Sequence, residues 1–191
     1  LPKIDVNPIV DDFTSKKKIN NKILKNDNIV VFFPGSTIGN FEKKEAIHFL
    51  KNLKLKYKPK KIIIGVDLIK KKSVLLKAYN DKKGVTAKFN KNLLKRINKE
   101  LKANFDTKSF KHSAIYNKSK SRIEMHLISL KNQKVKVQSK NFYFKKGETI
   151  HTESSHKYSP KSFNQLANKS GWTVKKIWTD LNRQFSIQYL I

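Results

Sequence analysis

Residues 29–55 constrain the fold of this 191-residue chain more tightly than any other stretch. Ile29-Val30-Val31-Phe32-Phe33 is a short run of β-branched and aromatic residues, the pattern of a strand buried on both faces. From Phe41 to Leu55 the apolar residues Phe41, Ala46, Ile47, Phe49, Leu50 and Leu53 recur on one side of a 3.6-residue helix, with lysines opposite. Between them, Phe33-Pro34-Gly35-Ser36-Thr37-Ile38-Gly39-Asn40-Phe41 places two glycines and an amide on the turn. The turn therefore lies at the carboxyl end of a strand, where open α/β sheets bind ligands and where glycine lets a backbone approach without a Cβ in the way. The order is neither that of a phosphate-cradling loop nor that of a dinucleotide fingerprint. A plain strand-to-helix connection with Asn40 as helix N-cap fits the same residues, and this segment alone leaves both readings open.

The remainder extends the pattern. Lys61 to Asp67 reads as a second strand after the breaker Lys58-Pro59-Lys60, giving a strand, helix and parallel strand. Ser159-Pro160 reads as an N-cap with proline at the first helical position, Phe163, Leu166 and Ala167 give that helix an apolar face, and Gly171 ends it. Trp172 to Trp178 and Gln184 to Ile191 read as two closing strands. Between these parts the periodicity changes. Helices are predicted at Val74 to Tyr79 and at Val85 to Leu101, the second with Val85, Phe89, Leu93, Leu94, Ile97 and Leu101 on one face. Strand-like runs follow at His112 to Tyr116, Arg122 to Leu130 and Val135 to Phe144, the last broken near Ser139. The chain is thus predicted to be α/β: residues 1–69 and 158–191 form a sheet-based core, and residues 70–157 form an inserted α+β subdomain over the sheet's carboxyl edge.

The net charge of +29 points toward a polyanion. Only Arg96, Arg122 and Arg183 are arginine, however, whereas nucleic-acid sites favour arginine's bidentate fork. The excess is lysine, scattered with short clusters at residues 16–18 and 70–72 and accompanied by abundant Asn, Ile and Phe that share A/T-rich codons. The charge is read as a compositionally biased, solvated surface. Absent cysteine excludes disulfides and thiolate sites and suits a reducing cytoplasm. No apolar run approaches the ~20 residues of a membrane helix. The chain opens on Leu1 rather than Met and looks as though its beginning is missing.

Three further segments offer chemistry. Asp12-Phe13-Thr14 is either a local turn cap or a carboxylate beside an aromatic face, the pair that adenine recognition needs. In Arg122-Ile123-Glu124-Met125-His126-Leu127, alternation puts Ile123, Met125 and Leu127 on one face and Arg122, Glu124 and His126 on the other. Ile150-His151-Thr152-Glu153-Ser154-Ser155-His156-Lys157-Tyr158 lacks any known metal-ligand spacing. It is a polar connecting loop or an extended segment whose Glu153 and Ser155 point the same way.

The turn 33–41, Gly65-Val66-Asp67-Leu68, Ala78-Tyr79-Asn80-Asp81, Gly84-Val85-Thr86-Ala87, Phe89-Asn90, Arg122-Ile123-Glu124-Met125 and Thr152-Glu153-Ser154-Ser155-His156-Lys157-Tyr158 occur in the order of one family. The chain resembles the SAM-dependent histidine Nα-methyltransferases of ergothioneine biosynthesis. The resemblance implies an incomplete class I, Rossmann-like methyltransferase sheet with an inserted α+β substrate-binding subdomain. It implies S-adenosyl-L-methionine (SAM) as methyl donor, no metal, L-histidine as substrate, neither nucleic acid nor membrane as partner, and a monomer at full length. By the same resemblance, Asp12 and Phe13 would contact adenine. Gly35 and Asn40 would meet the amino acid's backbone groups, Tyr79 would help hold the α-carboxylate, and Met125, Glu153 and Ser155 would line the imidazole. No general base is implied. The chain departs from the family in having Asn80 for the usual aspartate, and in lacking the N-terminal part with the glycine-rich SAM motif. The chain alone is therefore expected to bind SAM weakly or not at all. A relative acting on another amino acid's α-amine, or a basic nucleic-acid-binding protein, is the alternative.

Overall fold

The structure is a computed structural model describing residues 4, 6–10, 12–14 and 28–191. The lysine cluster 16–18 and the start of the chain lie outside the described residues. The fold is mixed α/β. The chain divides into two compact units, residues Leu1–Leu68 with Tyr158–Ile191, and residues Ile69–Lys157.

In the first unit, β1 (Val30–Phe33) leads through a 3₁₀ turn (Thr37–Asn40) into α1 (Lys43–Tyr57), and β2 (Lys61–Asp67) returns parallel to β1. The apolar stripe of α1 behaves as its spacing predicts, with Ala46, Phe49, Leu50 and Leu53 buried. Asn40 does not cap this helix. Glu42 does, its side chain and that of Glu45 forming a reciprocal capping box. The face assignment of β1 also differs from expectation. Val30 is 48% and Phe32 67% exposed, because among the described residues β1 pairs with β2 alone and one of its faces is left uncovered.

The second unit begins with α2 (Lys72–Tyr79) and α3 (Val85–Glu100). It continues with β3 (Phe110–Asn117), β4 (Arg122–Ser129), the hairpin β5 (Gln133–Val137) and β6 (Lys140–Phe144), and β7 (Thr149–His156). The order β3-β4-β7 forms an antiparallel sheet, and β5-β6 stands as a separate pair broken at Gln138, beside the predicted Ser139. Leu75 of α2 packs on Ala114, Ile123 and Met125, and Leu94 of α3 packs on Phe110 and Leu127. Both helices therefore cover the same face of the sheet. Of the predicted apolar face of α3, Leu94 is buried and Ile97 partly so, and the rest is exposed. Phe89 is 65% exposed and Val85, Leu93 and Leu101 are also exposed, while Asn90 and Leu94 are buried. Asn90 is drawn inward because its amide donates to the His126 carbonyl and bonds the His112 ring.

The first unit is completed by α4 (Pro160–Lys169), β8 (Val174–Thr179) and β9 (Phe185–Leu190), in the sheet order β1-β2-β9-β8 with β9 antiparallel to both neighbours. Ser159 caps α4 through the amide of Ser162 at 3.0 Å, and Phe163, Leu166 and Ala167 are buried as predicted. Trp172 precedes β8 instead of starting it, and its indole N–H donates to the Leu50 carbonyl across the core at 3.0 Å. On β9 the buried phase carries Ser186 and Gln188 with Leu190. Ser186 is satisfied by the Val66 carbonyl and by the Gln188 amide that donates to it.

Candidate functional site

In the first unit, the turn after β1 takes its shape from backbone conformation. Gly35 and Ser36 are both left-handed, at φ 77° and 58°. The Ser36 carbonyl accepts from Gly39 N–H at 2.8 Å, and its hydroxyl accepts from Asp67 N–H at 2.9 Å, tying the turn to the carboxyl end of β2. A Cβ on Gly35 would meet nothing within 4 Å, so glycine is required there for conformation alone. Close approach occurs instead at Gly65, where a Cβ would lie 2.8 Å from the Phe185 ring and 3.0 Å from the Gly35 nitrogen. Gly35 and Asn40 are exposed.

Asp12 and Phe13 also belong to this unit. Residues 6–10 form no strand, so the expected strand end is a turn in which the Asp12 carboxylate accepts from the Thr14 amide at 2.8 Å and its hydroxyl at 2.6 Å. Those two bonds, the hydroxyl's first, hold the Asp12 pKa below the ordinary carboxylate value. Phe13 is half exposed and sits edge-on to Phe33 and Phe49, with centroids 5.8 and 6.0 Å away. A groove of about 560 Å³ along α1, lined by Phe41, Lys44, His48 and Asn52 among others, touches none of Asp12, Phe13, Gly35 or Asn40.

In the second unit, the structure gathers Tyr79, Met125, Glu153 and Ser155 on one face of the sheet. Tyr79 ends α2 and packs on the cluster containing Met125. Its carbonyl accepts from His112 Nε2 at 2.8 Å, because Asn90 donates to His112 Nδ1 and so leaves the proton on Nε2. Asn80 donates to the Ala114 carbonyl at 2.8 Å and accepts from its N–H at 2.9 Å, clamping the end of α2 to β3. A carboxylate has no hydrogen to give that carbonyl, so the amide at position 80 has a structural use of its own.

The segment 150–158, left open between loop and extended strand, is mostly β7. Its parity is reset by a β-bulge: His151 pairs with His126, but Glu153 pairs with Met125, leaving Thr152 as the extra residue. The Thr152 hydroxyl donates to the Met125 carbonyl at 3.0 Å and pins the irregularity. Strict alternation from Ile150 would have put Glu153 beside His151. The bulge puts Glu153 and Ser155 on the face of Ile123 and Met125 instead.

Lys157 completes the cluster and was not singled out from the sequence. It is 3% exposed, and its ammonium donates to Tyr79 Oη at 2.9 Å and Ser155 Oγ at 2.8 Å, 4.8 Å from the tyrosine ring centroid. Tyr79 Oη in turn donates to Ser155 Oγ at 2.9 Å. The signal was available, because Lys157 continues the two-residue step from Glu153 to Ser155. Burial pushes the Glu153 carboxyl up from its ordinary pKa, and the Lys157 charge partly opposes this.

The opposite face holds Arg122, Glu124 and His126, as alternation predicts, although Arg122 and Glu124 are buried rather than solvated. Burial would raise Glu124, but the Arg122 guanidinium at 2.7 Å and the Asn117 amide at 3.1 Å hold its pKa below the usual value. His126 stacks on His151 at 4.9 Å, and burial followed by that neighbour lowers its pKa. Among the described residues, no three His, Cys, Asp or Glu side chains form a metal cage, and no helix is long and apolar enough to cross a membrane.

A family profile described as "Histidine-specific methyltransferase, SAM-dependent" matches residues 1–191. The histidine N-alpha-methyltransferase of Mycolicibacterium smegmatis is 34% identical over 193 aligned positions, which take in 100% of this chain. The chain spans 59% of the length of that relative. Ergothioneine biosynthesis protein 1 of Schizosaccharomyces pombe is 27% identical over 152 positions, covering 78% of this chain and 20% of that protein. The solved structure of an S-adenosylmethionine-dependent methyltransferase from Clostridium acetobutylicum aligns with 95% of this chain and 63% of its own, at 8% identity and a TM-score of 0.44.

Proposed function

We propose, because this chain belongs to the histidine-specific, SAM-dependent methyltransferase family, that the protein transfers methyl groups from SAM to the α-amine of L-histidine, giving the trimethylated betaine of ergothioneine biosynthesis. The observation that carries this reading is the meeting of Tyr79, Met125, Glu153 and Ser155 on one face of the β3-β4-β7 sheet, held by Lys157. On this reading, residues 1–69 and 158–191 belong to a class I methyltransferase core, and residues 70–157 form its substrate-recognition subdomain.

The side chains suit their assigned partners. A half-exposed Phe13 ring beside the Asp12 carboxylate offers an aromatic contact for adenine and an acceptor for its exocyclic amine. SAM, when bound, supplies an electrophilic sulfonium methyl, which a neutral amine takes while the S–CH₃ electron pair returns to sulfur. What the chain has to supply is alignment, an effect that contributes up to ~7–11 kcal/mol in favourable cases. Asn40, through its amide, and Gly35, through its backbone, hold the amino acid's own backbone groups, and Tyr79 helps hold the α-carboxylate. Glu153 accepts from an imidazole N–H, Ser155 bonds the other ring nitrogen, and Met125 packs on the ring. A site built to satisfy two ring nitrogens rejects apolar amino acids, because its buried polar groups would be left unpaired.

The test is methyl transfer by the protein at its full native length, with isotopically labelled SAM and a panel of amino acids followed by mass spectrometry. Mono-, di- and trimethylated histidine are expected. Methylation of another amino acid with histidine untouched would overturn the assignment.

A further inference from the structure

Lysine's ammonium carries hydrogens and no lone pair, so both oxygens that Lys157 touches must accept from it. Ser155 Oγ accepts a second time, from Tyr79 Oη. A hydroxyl has two lone pairs and one hydrogen, so Ser155 is left with only its hydrogen to offer. Glu153, two residues earlier on the same face, has the opposite character when ionised, since a carboxylate only accepts.

We infer that Lys157 is a positioning residue that fixes Ser155 as a hydrogen-bond donor, so that Glu153 and Ser155 together admit one neutral tautomer of an imidazole. The ring N–H faces Glu153 and the bare nitrogen faces Ser155. This rests on the reading of these residues as the histidine-recognition face. An imidazolium, with hydrogens on both nitrogens, would oppose its own N–H to that of the serine. An indole would have no lone-pair nitrogen for it. Lys157 thus acts at one remove, through the polarity of the two hydroxyls it holds.

The experiment is ¹⁵N NMR of ring-labelled L-histidine bound to the full-length protein, with affinities from titration calorimetry. In the wild type one ring nitrogen is protonated and the other bare, in a single arrangement. Lys157→Met frees a lone pair on Ser155, so Ser155 can accept from a second ring N–H and the bound ring should become protonated on both nitrogens as pH falls, over a range where the wild type keeps one nitrogen bare. Lys157→Arg, which also only donates, should keep the single tautomer. Ser155→Ala retains the lysine but removes the opposing hydrogen, so it too should admit the doubly protonated ring. It supplies the test if thermal unfolding shows that Lys157→Met does not fold. A ring that keeps one bare nitrogen in Lys157→Met, or in Ser155→Ala, over the same pH range as the wild type overturns the inference, as does a wild type that binds histidine with both nitrogens protonated or its tautomers mixed. A wild type that does not bind histidine overturns the functional reading beneath it.

Discussion

The turn after β1 and the strand β7 hold their candidate residues in opposite ways. In the turn, the side chains of interest are exposed and two consecutive left-handed residues set the path of the backbone. In β7, the backbone makes an ordinary ladder apart from one bulge, and the buried Ser155 and Lys157 lock one another and the partly buried Tyr79. A loop that offers its main chain to a ligand depends on conformation and tolerates changes of chemistry poorly only where φ is positive. A strand that reads a ligand's side chain depends on which groups donate and which accept.

Glu153→Ala should give the largest effect, lowering histidine affinity by ~10–100-fold in calorimetry of the full-length protein, as loss of a charged hydrogen bond does. Because burial raises the Glu153 pKa in the folded state, its ionised form opposes folding and that penalty lifts as pH falls through the raised value. Histidine binding should weaken over the same pH range, as the acceptor becomes protonated. Binding unchanged by either perturbation would remove the chemical half of the contrast. Next come the two glycines, compared by urea denaturation. Gly65→Ala, which sets a Cβ against Phe185 and the Gly35 nitrogen, should lower stability by about 1–3 kcal/mol. Gly35→Ala has open space around it and should lose only the left-handed penalty of ~1–2 kcal/mol. If Gly35→Ala is the more damaging, conformation rather than space dominates at these glycines. The smallest effect belongs to Asp81, whose pKa is held at about 2 by the Thr86 and Val85 amides at the start of α3. A depressed carboxyl contributes stability that is full above the ordinary carboxylate value and is lost as pH falls through about 2. Asp81→Asn should therefore flatten the acid limb of a circular dichroism titration, and an unaltered limb would refute the assignment.

Much of the first unit was legible because its signals are local. The periodicity of Ala46, Phe49, Leu50 and Leu53, the breaker Pro59 and the Ser159-Pro160 cap each act within a few residues, and α1, β2 and α4 appear where they point. What was misread depends on distant neighbours. The apolar composition of β1 says nothing about whether another layer covers Val30 and Phe32. On α3 the apolar spacing favoured Val85, Phe89, Leu93, Leu94, Ile97 and Leu101, but of these Leu94 alone is fully buried, beside an Asn90 held inward by its bonds to His112 and the His126 carbonyl. At the candidate site, Tyr79, Met125, Glu153 and Ser155 came from family resemblance. The bulge at Thr152 that brings Glu153 and Ser155 to the inner face leaves no mark in the residue pattern, since it is set by pairing with β4. Lys157 was hidden among so many solvated lysines that its chemistry gave no warning of its burial.

The exposed flank of β1 bears on how this polypeptide behaves as a colloid. Among the described residues β1 is paired on one side alone and bears the exposed Val30 and Phe32, and an edge of that kind is a template onto which another strand can add. The net charge of +29 opposes that encounter by mutual repulsion over a Debye length of roughly 10 Å at 0.1 M salt. Raising ionic strength shortens the reach of the repulsion and leaves the apolar attraction in place. Buffers of moderate salt, ordinarily chosen to keep a lysine-rich protein dispersed, would here bring the sticky edges together.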